Sequence, residues 1–113
     1  RSRRQRQMCI RDRHKSTPQN QRHLLRDMLS AFCFGDVYTR KGLDLRTREI
    51  LTFCIISSLG GCESQVKSHV QGNVNVGNTK ENLIDALTCC LPYIGFPRTL
   101  NALGCVNAVI PEN

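Results

Sequence analysis

Apolar residues recur along this chain at intervals of three and four, and those intervals predict helices. Leu24, Leu25, Met28, Leu29 and Phe32 place one over residues 21–34, ended by Gly35 and Asp36. A second runs from Leu45 to Leu59, behind Asp44 as N-cap and ahead of Gly60-Gly61, a pair that permits a left-handed stop. Its Ile50, Thr52, Ile55 and Ile56 would also suit a strand, but fifteen residues exceed a typical strand, and cap and stop agree with a helix. Apolar on nearly every side, it is expected at the centre, enclosed by the others. A third helix is expected from Cys62 to about Val76, closed by Gly77. Gly72 inside it costs about 1 kcal/mol relative to Ala, which points to close packing there. Thr79 caps a fourth, with Leu83, Ile84, Leu87, Cys90 and Leu91 on its buried side and Pro92 and Gly95 closing it. Pro97 opens a fifth over residues 98–109, with Leu100, Leu103, Val106 and Ala108 inward. Nothing alternates with period two for long enough to make a sheet. The class is all-α, with about five helices.

Composition adds constraints on size and partners. At 113 residues the chain is one small domain, and 40% apolar residues suffice for a core. With no Trp and six aromatics, that core is built mainly from Leu, Ile, Val, Ala and Cys. A domain this small gains by burying a further face against copies of itself, so self-association is expected.

The net charge of +7 suggests a nucleic-acid partner, and its distribution argues against one. Residues 1–26 hold nine Lys or Arg against the single acid Asp12, whereas the rest of the chain, with seven bases and eight acids, sits near −1. Within that basic segment, Gln7-Met8-Cys9-Ile10-Arg11-Asp12-Arg13 resembles one reading frame through a transposon-end adapter used to prepare sequencing libraries, which would make the source environmental DNA. Residues 1–13 are set aside from the fold on that ground; the competing reading is a basic arm that binds phosphates. Residues 14–20 are polar and aperiodic, a linker. The expected organisation is a disordered basic tail over 1–20 and a helical domain over 21–113.

No apolar stretch of signal-peptide type follows the basic N-terminus, so a bacterial cytoplasmic location is expected, with the seven cysteines as free thiols. Cys54, Cys89, Cys90 and Cys105 stand among Ile, Leu and Val and read as buried inert thiols. There is no Cys-x-x-Cys, no structural zinc spacing, and no run of 18 uncharged apolar residues to span a membrane.

The candidate chemistry gathers around the second and third helices. Cys62 and His69, seven apart, fall on one helical face two turns apart, about 10 Å along the axis. Gln65, one turn after Cys62, can donate and accept in the same space. Arg46, Arg48 and Glu49 are the only charges on an otherwise apolar helix, and a charge there needs a partner or a purpose. The pattern also fits a structural histidine, a small buried cysteine and an Arg-Glu pair that only complements the helix dipole. Residue pattern alone does not choose between these.

A resemblance adds to the choice. Phe34-Gly35-Asp36-Val37-Tyr38, Gly42-Leu43-Asp44-Leu45-Arg46-Thr47-Arg48-Glu49, Gly60-Gly61-Cys62-Glu63-Ser64-Gln65, His69, Gly77 and Tyr93-Ile94-Gly95-Phe96-Pro97 occur in the order seen in carboxymuconolactone decarboxylase-like proteins, over roughly residues 21–110. The resemblance implies an all-helical fold shared with alkyl hydroperoxidase D proteins, assembled as homotrimers or homohexamers with sites near subunit interfaces. It also implies one of two chemistries. The redox branch carries Cys-x-x-Cys-x-x-x-His, a dithiol that reduces peroxide. This chain has Cys62-x-x-Gln65-x-x-x-His69, and an amide forms neither disulfide nor sulfenic acid. The decarboxylase branch uses neither metal nor organic cofactor on a carboxylated unsaturated lactone such as 4-carboxymuconolactone. For that chemistry His69 suits proton delivery, Arg46 or Arg48 can hold a carboxylate with Glu49 orienting the Arg or His69, and Gln65 or Cys62 can hydrogen-bond the lactone oxygen. A thiol-dependent peroxidase and a non-catalytic helical oligomer are the alternatives.

Overall fold

The computed structural model describes residues 17–29 and 40–112, and contacts along the chain divide it into two units, Arg1–Leu43 and Asp44–Asn113. In the first, a 3-10 turn at Gln19–Gln21 follows Pro18 and leads into helical residues 22–29, where Leu24 and Met28 are exposed. The rest of the predicted first helix, its Gly35-Asp36 stop, the Phe34–Tyr38 motif, Cys33, and the basic run with Cys9 lie outside the described residues.

The second unit is three α-helices, each packed on the other two: α1 (Leu45–Leu59), α2 (Glu63–Asn75) and α3 (Lys80–Val109). Their ends are set by side chains the sequence displays. Asp44 accepts a hydrogen bond from the Thr47 amide at 2.8 Å and so caps α1. Hydrogen bonding to Thr47, from its side chain first and then its backbone, holds the Asp44 carboxyl below the ordinary carboxylate range. Gly60 (φ 74°) and Gly61 (φ 72°) then turn the chain through left-handed backbone into α2. Thr79 and Asn82 form a reciprocal capping box at the start of α3.

The described residues hold four helices, where the sequence predicts about five. The predicted fourth and fifth are one element of 30 residues, α3, whose backbone leaves helical geometry at Gly95 alone (φ 82°, ψ 167°). Pro92 lies inside it and does not end it. The amide it lacks would have bonded the carbonyl of Thr88, a single lost bond that the next turn survives. Pro97 falls just after the break, where a missing N–H costs little.

Phe53, Val66, Val70, Leu83, Leu87, Ala102, Cys105 and Val106 form the core. Two expectations about it are corrected. On α3 the inward stripe after the break is Ala102, Cys105 and Val106, while Leu100 and Ala108 are exposed. Val106 is buried and Leu103 packs against the core as the periodicity predicts, but Ala102 and Cys105 stand inward in place of Leu100 and Ala108. Nor is α1 enclosed on all sides: Phe53 and Ser57 are buried, but Leu51, Ile55 and Leu59, at intervals of four, are exposed. No strand occurs among the described residues, and none of their helices is long and apolar enough to cross a membrane.

Candidate functional site

Glu49, in the second turn of α1, and His69, in the middle of α2, meet across the helix pair. His69 Nδ1 lies 3.0 Å from Glu49 Oε2, and the two side chains are 22% and 12% exposed. A carboxylate oxygen only accepts, so Nδ1 carries the proton and Nε2 is the nitrogen left for exchange with a substrate. Gly72 makes room for this pair: a Cβ there would stand 2.9 Å from Glu49 Oε2. The mid-helix glycine thus has the close-packing role expected of it.

Two asparagines fix the register of the helices that carry the pair. Asn73, fully buried, donates from Nδ2 to the carbonyl of His69 at 2.7 Å and to that of Glu49 at 3.1 Å. Its Oδ1 accepts from Asn78 Nδ2 at 2.8 Å, and Asn78 Nδ2 also donates to the Arg46 carbonyl at 3.0 Å. Arg46 Nε closes the chain on Asn78 Oδ1 at 3.2 Å. Every amide hydrogen of both asparagines is used, and a satisfied buried network of this kind specifies one arrangement of its backbone partners. Asn73 lies four residues after His69, on the same stripe of the helix, and Asn78 follows the closing Gly77, but sequence reasoning gave neither a role. The available signal was an amide on the stripe of an amphipathic helix, with a second just after its closing glycine.

The other expected site residues lie in different surroundings. Arg46, Asp44, Thr47, Ile50 and Asn78 line an open hollow of about 220 Å³ at the start of α1. Arg48 is half-buried, and its carbonyl accepts from Thr52 Oγ1 at 2.8 Å. Gln65 is exposed, its Oε1 taking a bond from Ser64 Oγ at 3.1 Å.

Cys62 is not the first helical residue of α2 but its N-cap, with non-helical φ −133°, which takes its side chain off the helical face that His69 occupies. Its thiol donates to the Ile56 carbonyl at 3.2 Å. It lines a narrow cleft of about 10 Å³ with Ser57, Arg98, Asn101 and Cys105, room for about one water. The buried Ser57 hydroxyl in that cleft has no hydrogen-bond partner among the described residues. Burial pushes the Cys105 thiol up from its ordinary value, opposed by nearby Lys67, and its sulfur donates to the Glu63 carbonyl at 3.7 Å. Glu49 and His69 are therefore brought together, with Arg46 joined to their helices through Asn78. Cys62 faces another cleft.

An all-helical unit built on a glutamate–histidine pair, with the capped helix start before it and the double glycine between, can be set beside known proteins. Residues 24–108 match the carboxymuconolactone decarboxylase family. The chain belongs to that family. Over 86 residues it is 29% identical to a 4-carboxymuconolactone decarboxylase of Acinetobacter baylyi (strain ATCC 33305 / BD413 / ADP1), an alignment covering 76% of this chain. The chain spans 63% of the length of that relative. Among the described residues no group of three or more His, Cys, Asp or Glu side chains is arranged to hold a metal ion.

Proposed function

We propose that this chain is a carboxy-lyase acting without a cofactor on a carboxylated unsaturated lactone such as 4-carboxymuconolactone. The observation that carries the reading is the 3.0 Å contact between His69 and Glu49, partly open to solvent, in a member of this family. When such a substrate loses carbon dioxide, the C–C bond breaks and its electron pair passes into the conjugated lactone as enolate-like charge. The enzyme has to hold the carboxylates, stabilise that charge and return a proton to carbon. His69 is the proton donor in this scheme. Glu49 accepts a hydrogen bond from Nδ1 and fixes the ring orientation, leaving Nε2 as the nitrogen that exchanges a proton with the substrate. Arg46, exposed beside an open hollow, presents a guanidinium for a substrate carboxylate, and Arg48 and Gln65 stand on the same two helices. The name of the relative supports the substrate class.

A dithiol peroxidase is the less favoured reading, since Gln65 replaces the second thiol and Cys62 is tied to the Ile56 carbonyl. Assembly is part of the proposal: the exposed stripe of Leu51, Ile55 and Leu59 on α1, with Tyr93, Phe96 and Leu100 around the α3 break, supplies apolar surface for a homotrimer or homohexamer.

The test is carbon dioxide release from 4-carboxymuconolactone by the full chain, with His69→Ala alongside. Turnover by the parent and a loss of about 100-fold or more in the variant, on the order of a general acid's contribution, is expected. Full activity in the variant would overturn the role of His69, and no release by the parent would overturn the substrate class.

A further inference from the structure

Of the four thiols expected to lie buried and inert, Cys105 is buried, Cys54 and Cys90 are half-buried and Cys89 is exposed, and the connected polar contacts of the fold lie elsewhere. They converge on Asn78. Its backbone is fixed from both sides. Gly77, at φ 92°, turns the chain at the end of α2, the Asn78 amide donates to the Asn73 carbonyl at 2.9 Å, and Thr79 beside it caps α3. The buried Asn78 side chain reaches back to the start of α1, where it accepts from Arg46 Nε at 3.2 Å and donates to the Arg46 carbonyl at 3.0 Å.

Arg46 itself is exposed and lines the hollow of about 220 Å³ at the start of α1. An exposed arginine ordinarily samples many rotamers, and a ligand that needs one of them must order the rest. A guanidinium held through Nε is already oriented, and it keeps Nη1 and Nη2, the end-on edge that matches the two oxygens of a carboxylate. Asp44, the carboxylate bordering the hollow, is taken up as the cap of α1 by the Thr47 amide. Its charge works against a second anion there, so a cation fixed in direction holds an advantage over one that is merely near.

We propose that Asn78 is a positioning residue that aims Arg46 at a substrate carboxylate in this hollow. The inference deepens the carboxy-lyase reading and rests on it for a lactone carboxylate as the ligand. The other amide hydrogen of Asn78 goes to Asn73 Oδ1 at 2.8 Å, and Asn73 in turn holds the carbonyls of Glu49 and His69. Two side-chain amides thus form one frame that carries both the group gripping a carboxylate and the pair handling the proton. The reaction needs those two at a fixed separation on one substrate. A carboxylate held loosely lets the carbon that must be protonated drift away from His69 Nε2.

The experiment is titration of the full chain with paraconate, followed by nuclear magnetic resonance shifts of the backbone amides. Paraconate is a saturated lactone carboxylate, with no double bond to receive the electrons of a departing carbon dioxide. The parent, Arg46→Ala, Asn78→Ala and the double variant complete a cycle. Each single variant is expected to bind roughly tenfold more weakly than the parent, on the scale of one charge-assisted hydrogen bond, and the double variant no more weakly than Arg46→Ala. A further loss from Asn78→Ala in the Arg46→Ala background would overturn the proposal, because an asparagine with only a structural role acts whether or not the arginine is present. Arg46→Lys keeps the charge, lacks the fork and leaves Asn78 in place, so it reports even where Asn78→Ala fails to fold. Binding near that of Arg46→Ala is expected for it, and binding equal to the parent's overturns the aiming role. A parent that does not bind paraconate overturns the site itself. Binding by the parent without carbon dioxide release from 4-carboxymuconolactone would refute the reaction and leave Arg46 and Asn78 their roles.

Discussion

Gly72 is the residue on which the reading of the site can be tested most sharply. Helix propensity alone would make Gly72→Ala stabilising by about 1 kcal/mol. The added Cβ, however, would meet Glu49 Oε2 at 2.9 Å and push the carboxylate off His69. Turnover of 4-carboxymuconolactone is expected to fall by an order of magnitude or more while the urea midpoint changes little. A variant that gains the full propensity benefit and keeps its activity would refute the crowding argument. Cys54 supplies a pH signature at the same scale. Its thiol is ordinarily half-ionised near 9.0 and is held up to about 12 in the folded protein, first by burial. The unfolded chain therefore releases this proton before the folded one does. The stabilisation is complete below about pH 9 and is lost as pH rises from there toward 12. Thermal unfolding of Cys54→Ser under reducing conditions should show a shallower decline over that window than the parent.

At the level of elements, α3 carries the clearest prediction. Gly95 holds φ 82° and ψ 167°, a region essentially closed to residues with a Cβ, and its carbonyl accepts from Thr99 Oγ1 at 2.8 Å as the helix resumes. Gly95→Ala is expected to cost roughly 1–3 kcal/mol, read as a lower urea midpoint. The same substitution at Gly104, where a Cβ meets nothing, serves as the control. The break also shows how far element boundaries were legible. Asp44, the Gly60-Gly61 pair and Thr79 fall where the sequence places them, because a cap is a local bond between residues three apart. Pro92 and Gly95 together read as a terminus, yet only the glycine departs from the helix. Whether a helix continues past a proline depends on whether neighbouring helices hold the next turn in place, and no local signal states that.

For the whole molecule, the distribution of apolar surface matters most. Ile55 is 67% exposed and Leu59 70%, on a helix whose composition alone would place it at the centre of a bundle. In the proposed assembly this stripe is the site of association. Ile55→Glu with Leu59→Glu is expected to shift sedimentation of the chain from an oligomer to a monomer while leaving its helical circular dichroism intact. A monomeric parent, or a double variant that still associates, would refute the role given to this stripe.

Much of this protein was determined by local rules. Periodicity gave the all-helical class, caps and glycines gave most of the helix ends, and the spacing of Arg46, Arg48, Glu49, Cys62 and His69, with the double glycine before Cys62, carried the family resemblance. Those features depend on residues close in sequence, so a linear reading reaches them. The tertiary structure decided which of these residues meet. Glu49 and His69 are twenty positions apart and touch only because Asn73 and Asn78 lock α2 against the start of α1. Cys62 and His69, only seven apart, have different neighbours, because the backbone at Cys62 has not yet entered the helix. The same holds for the thiols. Seven cysteines could be counted in the sequence, but only the fold brings Cys62 and Cys105 to one cleft. Contact between helices is fixed by the rotation of each about its own axis, and one residue's worth of rotation changes every partner.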